Sequence, residues 1–289
     1  MNSNKLKAFI ELLRPVNALI VFLTIAAAAL LAGLPAASLA GMEFALWSRI
    51  LLAALAGALI AGGGYAINDY YDVEIDKINR PARPLPRGAL SPTEAWWTWR
   101  LFSSAGVLMS AFLGPYTLAI ALGWVISLYF YSKRFKRSVL LGNLIVGLAT
   151  GLAFIYGGFV AGNVERSVLP AVFAFLINVA RELVKDVEDV KGDAHGEAGT
   201  LPVKHGLKPA LVLATVTLLL LIGSTLAAYR WGAYNLQYLF LVALIDMSLI
   251  VVMISMWRNA APANMRRLST VLKIDMLLGL IAIYVGTPV

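Results

Sequence analysis

The sequence contains no cysteine and only two histidines. Disulfides and thiolate metal sites are therefore excluded. Charge is also scarce, because only 14% of the 289 residues are Asp, Glu, Lys or Arg, against about 25% in soluble domains. A chain with 60% hydrophobic residues could not cover its own surface with polar groups in water. These absences exclude an ordinary water-soluble domain.

The sequence has long apolar runs instead, each close to the roughly 20 residues that cross a bilayer as a helix. We predict nine such spans in one all-α, polytopic membrane domain that covers residues 1–289. They lie at 15–34, 50–70, 95–113, 116–131, 139–160, 168–187, 210–229, 234–257 and 268–285. Two of the connections between them are long and polar, 71–94 and 188–209.

The basic residues indicate how the chain crosses the membrane. The net charge is +8, but lysines and arginines lie between apolar blocks rather than along one soluble face, so we expect no nucleic-acid partner. A cytoplasmic N-terminus leaves only Arg49, Arg166 and Arg230 in outer segments, as the positive-inside rule requires. An odd number of spans then places the C-terminus outside. We predict a multi-pass protein of the cell membrane, with its working surface on the cytoplasmic side and no obligatory protein partner.

The acidic residues are concentrated, because ten of the sixteen fall within 69–76 and 182–197. At about 100° per residue, a helix gathers most of them into one stripe in each stretch, about 80° and about 60° wide. The first stripe is Asn68, Asp72 and Asp76. The second is Glu182, Asp186, Asp189 and Asp193, whereas Glu74 and Glu188 point elsewhere.

Carboxylates that share a stripe repel one another and lose hydration at a membrane boundary. One interpretation is that they are solvated helix ends that simply stop the span. The other is a divalent cation that offsets the repulsion, and hard oxygen ligands favour Mg²⁺ or Mn²⁺ over zinc. Two stripes in matched positions, each beside a long loop, favour the metal. With the nearby lysines and arginines, they predict a site for a polyanion such as pyrophosphate.

Both stripes resemble known motifs. Residues 68–76 (Asn-x-x-x-Asp-x-x-x-Asp) and 189–193 (Asp-x-x-x-Asp) are similar to the two aspartate-rich motifs of the UbiA superfamily of intramembrane prenyltransferases. Residues 14–17 (Arg-Pro-x-Asn) and 131–133 (Tyr-Ser-Lys) also resemble that superfamily. The resemblance covers essentially the whole chain and implies a bundle of nine membrane helices.

Within the superfamily, residues 79–88 and 181–193 resemble most the archaeal digeranylgeranylglyceryl phosphate synthases. This resemblance implies Mg²⁺-dependent transfer of a prenyl group from an isoprenyl diphosphate, geranylgeranyl diphosphate, to the membrane lipid geranylgeranylglyceryl phosphate in ether-lipid synthesis. One alternative is an aromatic acceptor such as 4-hydroxybenzoate or a naphthoate. An alternative from another class is a cation-coupled transporter, whose acids would be expected near mid-membrane.

The stripes and the resemblance together assign roles to individual residues. The expected metal ligands are Asn68, Asp72, Asp76, Asp186, Asp189 and Asp193. The expected catalytic residues are Asp72, Asp76, Asp189 and Asp193. The expected substrate-binding residues are Arg14, Asn17, Arg80, Tyr131, Lys133, Arg134 and Lys185. Two further acids, Asp246 and Asp275, fall within the last two spans and are left outside the site.

Overall fold

The computed structural model of the protein describes residues 3–33, 44–195 and 198–287. Within these ranges the regular structure is helical, as predicted: eleven α-helices and a 3₁₀ turn at Phe135–Arg137. The helices are α1 (Ser3–Leu12), α2 (Pro15–Gly33), α3 (Phe44–Asn79), α4 (Pro92–Leu113), α5 (Pro115–Lys133), α6 (Leu141–Ala161), α7 (Glu165–His195), α8 (Leu201–His205), α9 (Leu207–Arg230), α10 (Leu236–Arg258) and α11 (Pro262–Gly286). Each predicted span falls in a different long helix, although Leu34, the last residue of the first span, lies outside the described residues. Glu197, the last acid of the second acidic stretch, also lies outside them.

Two helices continue well past the C-terminal ends of the spans predicted for them. Helix α3 does not end at residue 70 but continues through the acidic stretch to Asn79. It ends there because Pro81 disfavours helical backbone at the residue before it. Helix α7 likewise continues past residue 187, and Gly192 does not interrupt it. The acids of both stripes are therefore helical, so the stripe geometry applies to them.

Eight of the described helices are long and apolar enough to cross a membrane, and α4 is the predicted span that falls short. Three of its polar side chains face inward, since Thr98, Ser103 and Ser110 are buried. Its outward face is exposed and mostly apolar, with Trp97, Leu101, Leu108 and Phe112 at helical spacing. A mean hydropathy taken along the helix cannot distinguish these two faces. The count of nine spans stays a prediction, which the apolar face of α4 supports.

The chain divides into two compact units. The first contains α1 to α5 and the C-terminal end of α6, and the second contains the rest of α6 and α7 to α11. In the first unit, a Cβ atom on Gly106 of α4 would lie 2.6 Å from the carbonyl oxygen of Ala56 in α3. In the second, a Cβ atom on Gly151 of α6 would lie 2.9 Å from the carbonyl oxygen of Ala171 in α7. Glycine at these points lets helix backbones approach closely. That the whole chain works as one domain stays a prediction.

The segment between α3 and α4 is held down by the short helix α1. Leu85 and Leu90 of this segment are buried against Ala8 and Leu12 of α1. An ion pair of 2.6 Å joins Arg87 to Glu11 at the rim of that contact. Helix α4 then starts with a capping box, in which Ser91 and Glu94 satisfy each other's backbone N–H groups.

The two acids inside the last spans have hydroxyl partners. Asp246 in α10 accepts a hydrogen bond of 3.4 Å from Thr225 in α9. Asp275 in α11 accepts one of 3.0 Å from Ser248 in α10. Both carboxyl groups are buried, so these bonds offset part of the cost of placing them among apolar side chains.

Candidate functional site

The first carboxylate stripe lies on the last turns of α3, on a buried face. Asp72 and Asp76 are each only 5% exposed. The side-chain amide of Asn68 donates a hydrogen bond of 2.9 Å to the carboxylate of Asp72. Off the stripe, Glu74 is exposed and pairs with Lys77 at 2.8 Å. The structure therefore brings Asn68, Asp72 and Asp76 together and leaves Glu74 at the surface.

Asp69 also belongs to this buried face, although the stripe prediction left it out. Its carboxylate accepts a hydrogen bond from Arg14 and another of 3.2 Å from Nη1 of Arg83. Arg83 also donates to the carboxylate of Asp76. A signal for this arrangement was present in the sequence, because residues seven apart differ by only about 20° around a helix. Asp69 and Asp76 had to share a face.

Arg14 occupies the short junction between α1 and α2. Its backbone has φ = 49°, in the left-handed region, which costs a residue other than glycine about 1 kcal/mol or more. This conformation turns the side chain towards α3, where it meets Asp69 and lies 5.0 Å from the ring centroid of Tyr65. Arg14, predicted to bind substrate, is therefore held beside the carboxylate stripe.

Other residues predicted to bind substrate in the first unit have different surroundings. Arg80 is exposed. Three residues further along the same segment, Arg83 reaches the carboxylates of Asp69 and Asp76. Near the end of α5, Lys133 and Arg134 are exposed, and the Lys133 ammonium lies 5.6 Å from the ring centroid of Tyr129. Asn17 and Tyr131 are half-buried. The roles of these residues stay predictions.

Aromatic side chains from α3, α4 and α5 form a cluster, in which the two residues from α3, Tyr70 and Tyr71, lie within the first acidic stretch of the sequence. The hydroxyl of Tyr71 donates to that of Tyr129 over 3.2 Å. The ring of Tyr129 stacks on Trp99, with centroids 5.3 Å apart, and Trp96 contacts both Trp99 and Tyr70. Electron-rich ring faces of this kind attract cationic groups.

The second stripe lies on the last turns of α7. Asn143 of α6 donates a hydrogen bond of 2.7 Å to Asp186, a contact that the sequence pattern did not reveal because 43 residues separate the two. Asp189 lies on the exposed side of the helix. Glu182 is buried and pairs with Lys185 at 2.9 Å, so this predicted substrate-binding lysine already has a carboxylate partner.

The segment that follows α7 forms a hydrogen bond to the last turn of that helix. Thr200 donates a hydrogen bond of 3.1 Å to the carboxylate of Asp193. Burial raises the pKa of Asp193 above its usual value, the bond from Thr200 lowers it, and repulsion by Asp189 raises it again. A bound cation would favour the ionised form of this carboxyl group.

The donor chemistry of both stripes suits Mg²⁺, which prefers carboxylate and amide oxygens. In the first stripe Asn68, Asp72 and Asp76 would hold it, and in the second Asp186, Asp189 and Asp193. Within residues 3–33, 44–195 and 198–287, however, no three His, Asp or Glu side chains yet converge as a metal site requires. Protein donors already bond to several of these oxygens: Asn68 to Asp72, Asn143 to Asp186 and Thr200 to Asp193.

Comparison with known proteins identifies the family. The sequence profile of the UbiA prenyltransferase family matches residues 21–277. The chain belongs to this family. Among its relatives, the digeranylgeranylglyceryl phosphate synthase of Methanothermobacter thermautotrophicus is 34% identical over 279 residues, or 96% of this chain and 95% of that protein.

Solved structures of the UbiA fold resemble this one. A structure reported for digeranylgeranylglyceryl phosphate synthase in membranes has a TM-score of 0.82 and 31% identity, covering 98% of each chain. A UbiA homolog from Archaeoglobus fulgidus, bound to DMAPP and Mg²⁺, has a TM-score of 0.72 at 22% identity, covering 96% of this chain and 99% of that one. The likeness confirms the expected fold, that of a multi-pass helical membrane prenyltransferase.

Proposed function

We propose that this protein transfers the geranylgeranyl group of geranylgeranyl diphosphate to geranylgeranylglyceryl phosphate, with Mg²⁺ as its cofactor. The observation that carries the proposal is the likeness, over nearly its whole length, to a relative named for that product. The Archaeoglobus fulgidus homolog bound to DMAPP and Mg²⁺ supports the use of a prenyl diphosphate with a metal. The hard oxygen donors on α3 and α7 are consistent with such a metal.

The proposed reaction breaks the bond between C1 of the prenyl chain and the diphosphate oxygen, whose electron pair leaves with the diphosphate. A new C1–O bond forms to the glycerol hydroxyl, which loses its proton. Bound Mg²⁺ would neutralise charge on the leaving diphosphate. Arg14 and Arg83 add fixed positive charge beside the first stripe. Apolar helices exclude the water that would otherwise consume an allylic cation.

The position of the acids favours this enzyme over a cation-coupled transporter. Asp72, Asp76, Asp189 and Asp193 lie towards the C-terminal ends of α3 and α7. Transporter sites are expected near the bilayer midplane, on interrupted helices. Here α3 and α7 are continuous past these four acids.

The acceptor is tested by offering the purified protein labelled geranylgeranyl diphosphate, Mg²⁺ and a choice of acceptors. We expect turnover of geranylgeranylglyceryl phosphate at least about 100-fold above that of 4-hydroxybenzoate, because a site built for a phosphate leaves charged groups unpaired around a smaller acid. The measurement is the rate of labelled product formation with each acceptor. Efficient prenylation of the aromatic acid, with none of the lipid, would show that the acceptor is aromatic.

We further propose that the segment between α3 and α4 lies in the cytoplasm, because basic residues concentrate there and on the same side in later loops. The chain lacks cysteine, so single cysteines can report sidedness. In the variant Arg80→Cys, we expect an impermeant thiol reagent to label the protein only from the cytoplasmic side. In Trp231→Cys, at the end of α9, we expect labelling only from the opposite side. The reverse pattern would overturn the orientation.

A further inference from the structure

Arg83 lies between two buried carboxylates. Its Nη1 atom is 3.2 Å from the Asp69 carboxylate and also donates to Asp76. The side chain of Arg83 is itself only 17% exposed, and Asp69 and Asp76 are 2% and 5% exposed as residues. Arg83 therefore supplies positive charge to Asp76 and shares Asp69 with Arg14.

The backbone around Arg83 is held by local hydrogen bonds and by packing against α1. The N–H of Arg83 donates to Arg80 over 3.0 Å, and its carbonyl oxygen accepts from Arg87 over 3.1 Å. Two residues further on, Leu85 is buried in the contact with α1, and Arg87 is tied to Glu11. Any exchange of partners by Arg83 is thus a movement of its side chain rather than of the whole segment.

The Asp76 carboxylate cannot bind both Arg83 and a metal ion equally well. The guanidinium occupies lone pairs on Asp76 that would bind Mg²⁺, and two cations at one carboxylate repel each other. The anion that accompanies the metal provides Arg83 with another partner, because a guanidinium binds phosphate oxygens in a two-pronged geometry.

We propose that Arg83 is a positioning residue that acts as a latch, holding Asp69 and Asp76 until it releases Asp76 to Mg²⁺ and binds the diphosphate instead. The proposal rests on the Mg²⁺–diphosphate chemistry of the proposed function. It adds that Mg²⁺ binds tightly only once the diphosphate is there to bind Arg83. The latch keeps affinity for the metal low until the anion is present. It also keeps a buried carboxylate from standing alone, which is costly.

The test measures binding of Mn²⁺, a paramagnetic stand-in for Mg²⁺, to the purified full-length protein without any diphosphate. Replacing a buried ion-pair partner typically changes a local free energy enough for about a tenfold or larger effect, so we expect Arg83→Gln to bind Mn²⁺ at least that much more tightly. Arg83→Lys keeps the charge and is expected to return the dissociation constant towards the native value. In turnover at saturating Mg²⁺, Arg83→Gln should raise the KM for the prenyl diphosphate.

Lys77→Gln is the matched control, because it removes one positive charge next to Asp76 in sequence. Lys77 is exposed and pairs with Glu74, away from the buried face. We expect its Mn²⁺ affinity to stay within about twofold of native, since exposed pairs contribute little. If Arg83→Gln folds poorly, Asp69→Asn combined with Arg83→Gln removes one of the two buried negative charges, the one that Arg14 also contacts, and should show the same tighter binding through Asp76.

The outcomes separate the latch from the proposed function. Unchanged or weaker Mn²⁺ binding by Arg83→Gln, with a native protein that binds Mn²⁺, would overturn the latch and leave the metal-dependent reaction standing. An equal gain in affinity in Lys77→Gln would also overturn it, because the effect would then be one of general charge. Failure of Arg83→Gln to bind Mn²⁺ at all would also overturn the latch, whereas the proposed function would be overturned only by absence of Mg²⁺-dependent prenyl transfer in the native protein.

Discussion

Asp72→Asn is expected to lower prenyl transfer by about 100- to 1000-fold at saturating Mg²⁺, the scale of losing one strong electrostatic contact in an active site. The substitution keeps the shape of the side chain and its hydrogen bond to Asn68 remains possible, but the charge that a cation would need is gone. Because Asp72 is buried in the stripe on α3, solvent cannot replace that charge. The measurement is the rate of labelled lipid product formed by purified protein.

The matched control for this prediction is Glu74→Gln. Glu74 lies two residues away on the same helix, with its side chain 76% exposed and paired with Lys77 at the surface. It undergoes the same chemical change without touching the buried face, so its rate should stay within about threefold of native. Equal losses in Asp72→Asn and Glu74→Gln would mean that general charge around α3 matters and the stripe does not.

Asp189→Asn on α7 is expected to cause a loss of similar size, on the order of 100-fold or more. Its control is Glu188→Gln, the adjacent residue, which accepts a hydrogen bond of 2.8 Å from Arg266 in α11. Glutamine retains an oxygen that can accept this bond, so the control should keep most of its activity. The same product assay measures both variants.

The double variant tests whether both stripes serve the same reaction step. Residues that act as a unit have non-additive effects on rate. Asp72→Asn combined with Asp189→Asn is therefore expected to be no slower than the slower single variant. Normal Mg²⁺-dependent prenyl transfer by both single variants would disprove the proposed roles of these acids.

Much of the fold could be predicted from the order of apolar and polar residues. Helix α2 and helices α9 to α11 are apolar along most of their length, and each coincides with a predicted span. The boundaries were less predictable. The change from apolar to polar sequence marks where a helix leaves the apolar layer, and α3 continues beyond that point to Asn79 because nothing before Pro81 stops it.

The partners of the acids could be predicted only in part. Helical periodicity placed Asn68, Asp72 and Asp76 on one face, and the same arithmetic extends to Asp69. Periodicity within one helix cannot identify a donor on another element, so Arg83 on the following segment and Asn143 on α6 were missed. Arg80 and Arg83 lie only three residues apart in the sequence. Leu85, two residues after Arg83, packs against α1, and it is Arg83 that contacts the Asp69 carboxylate.

The sequence by itself determined that this protein is a helical membrane protein, where its long helices lie, and which acids share a face. These properties depend on composition and on a repeat of 3.6 residues, both of which are local. Only the tertiary structure decided that Arg14 and Arg83 neutralise Asp69 and Asp76, and that three polar side chains of α4 are buried while its exposed face is mostly apolar. Those outcomes depend on contacts between segments distant in sequence, where the direction of a side chain is fixed by packing against its neighbours.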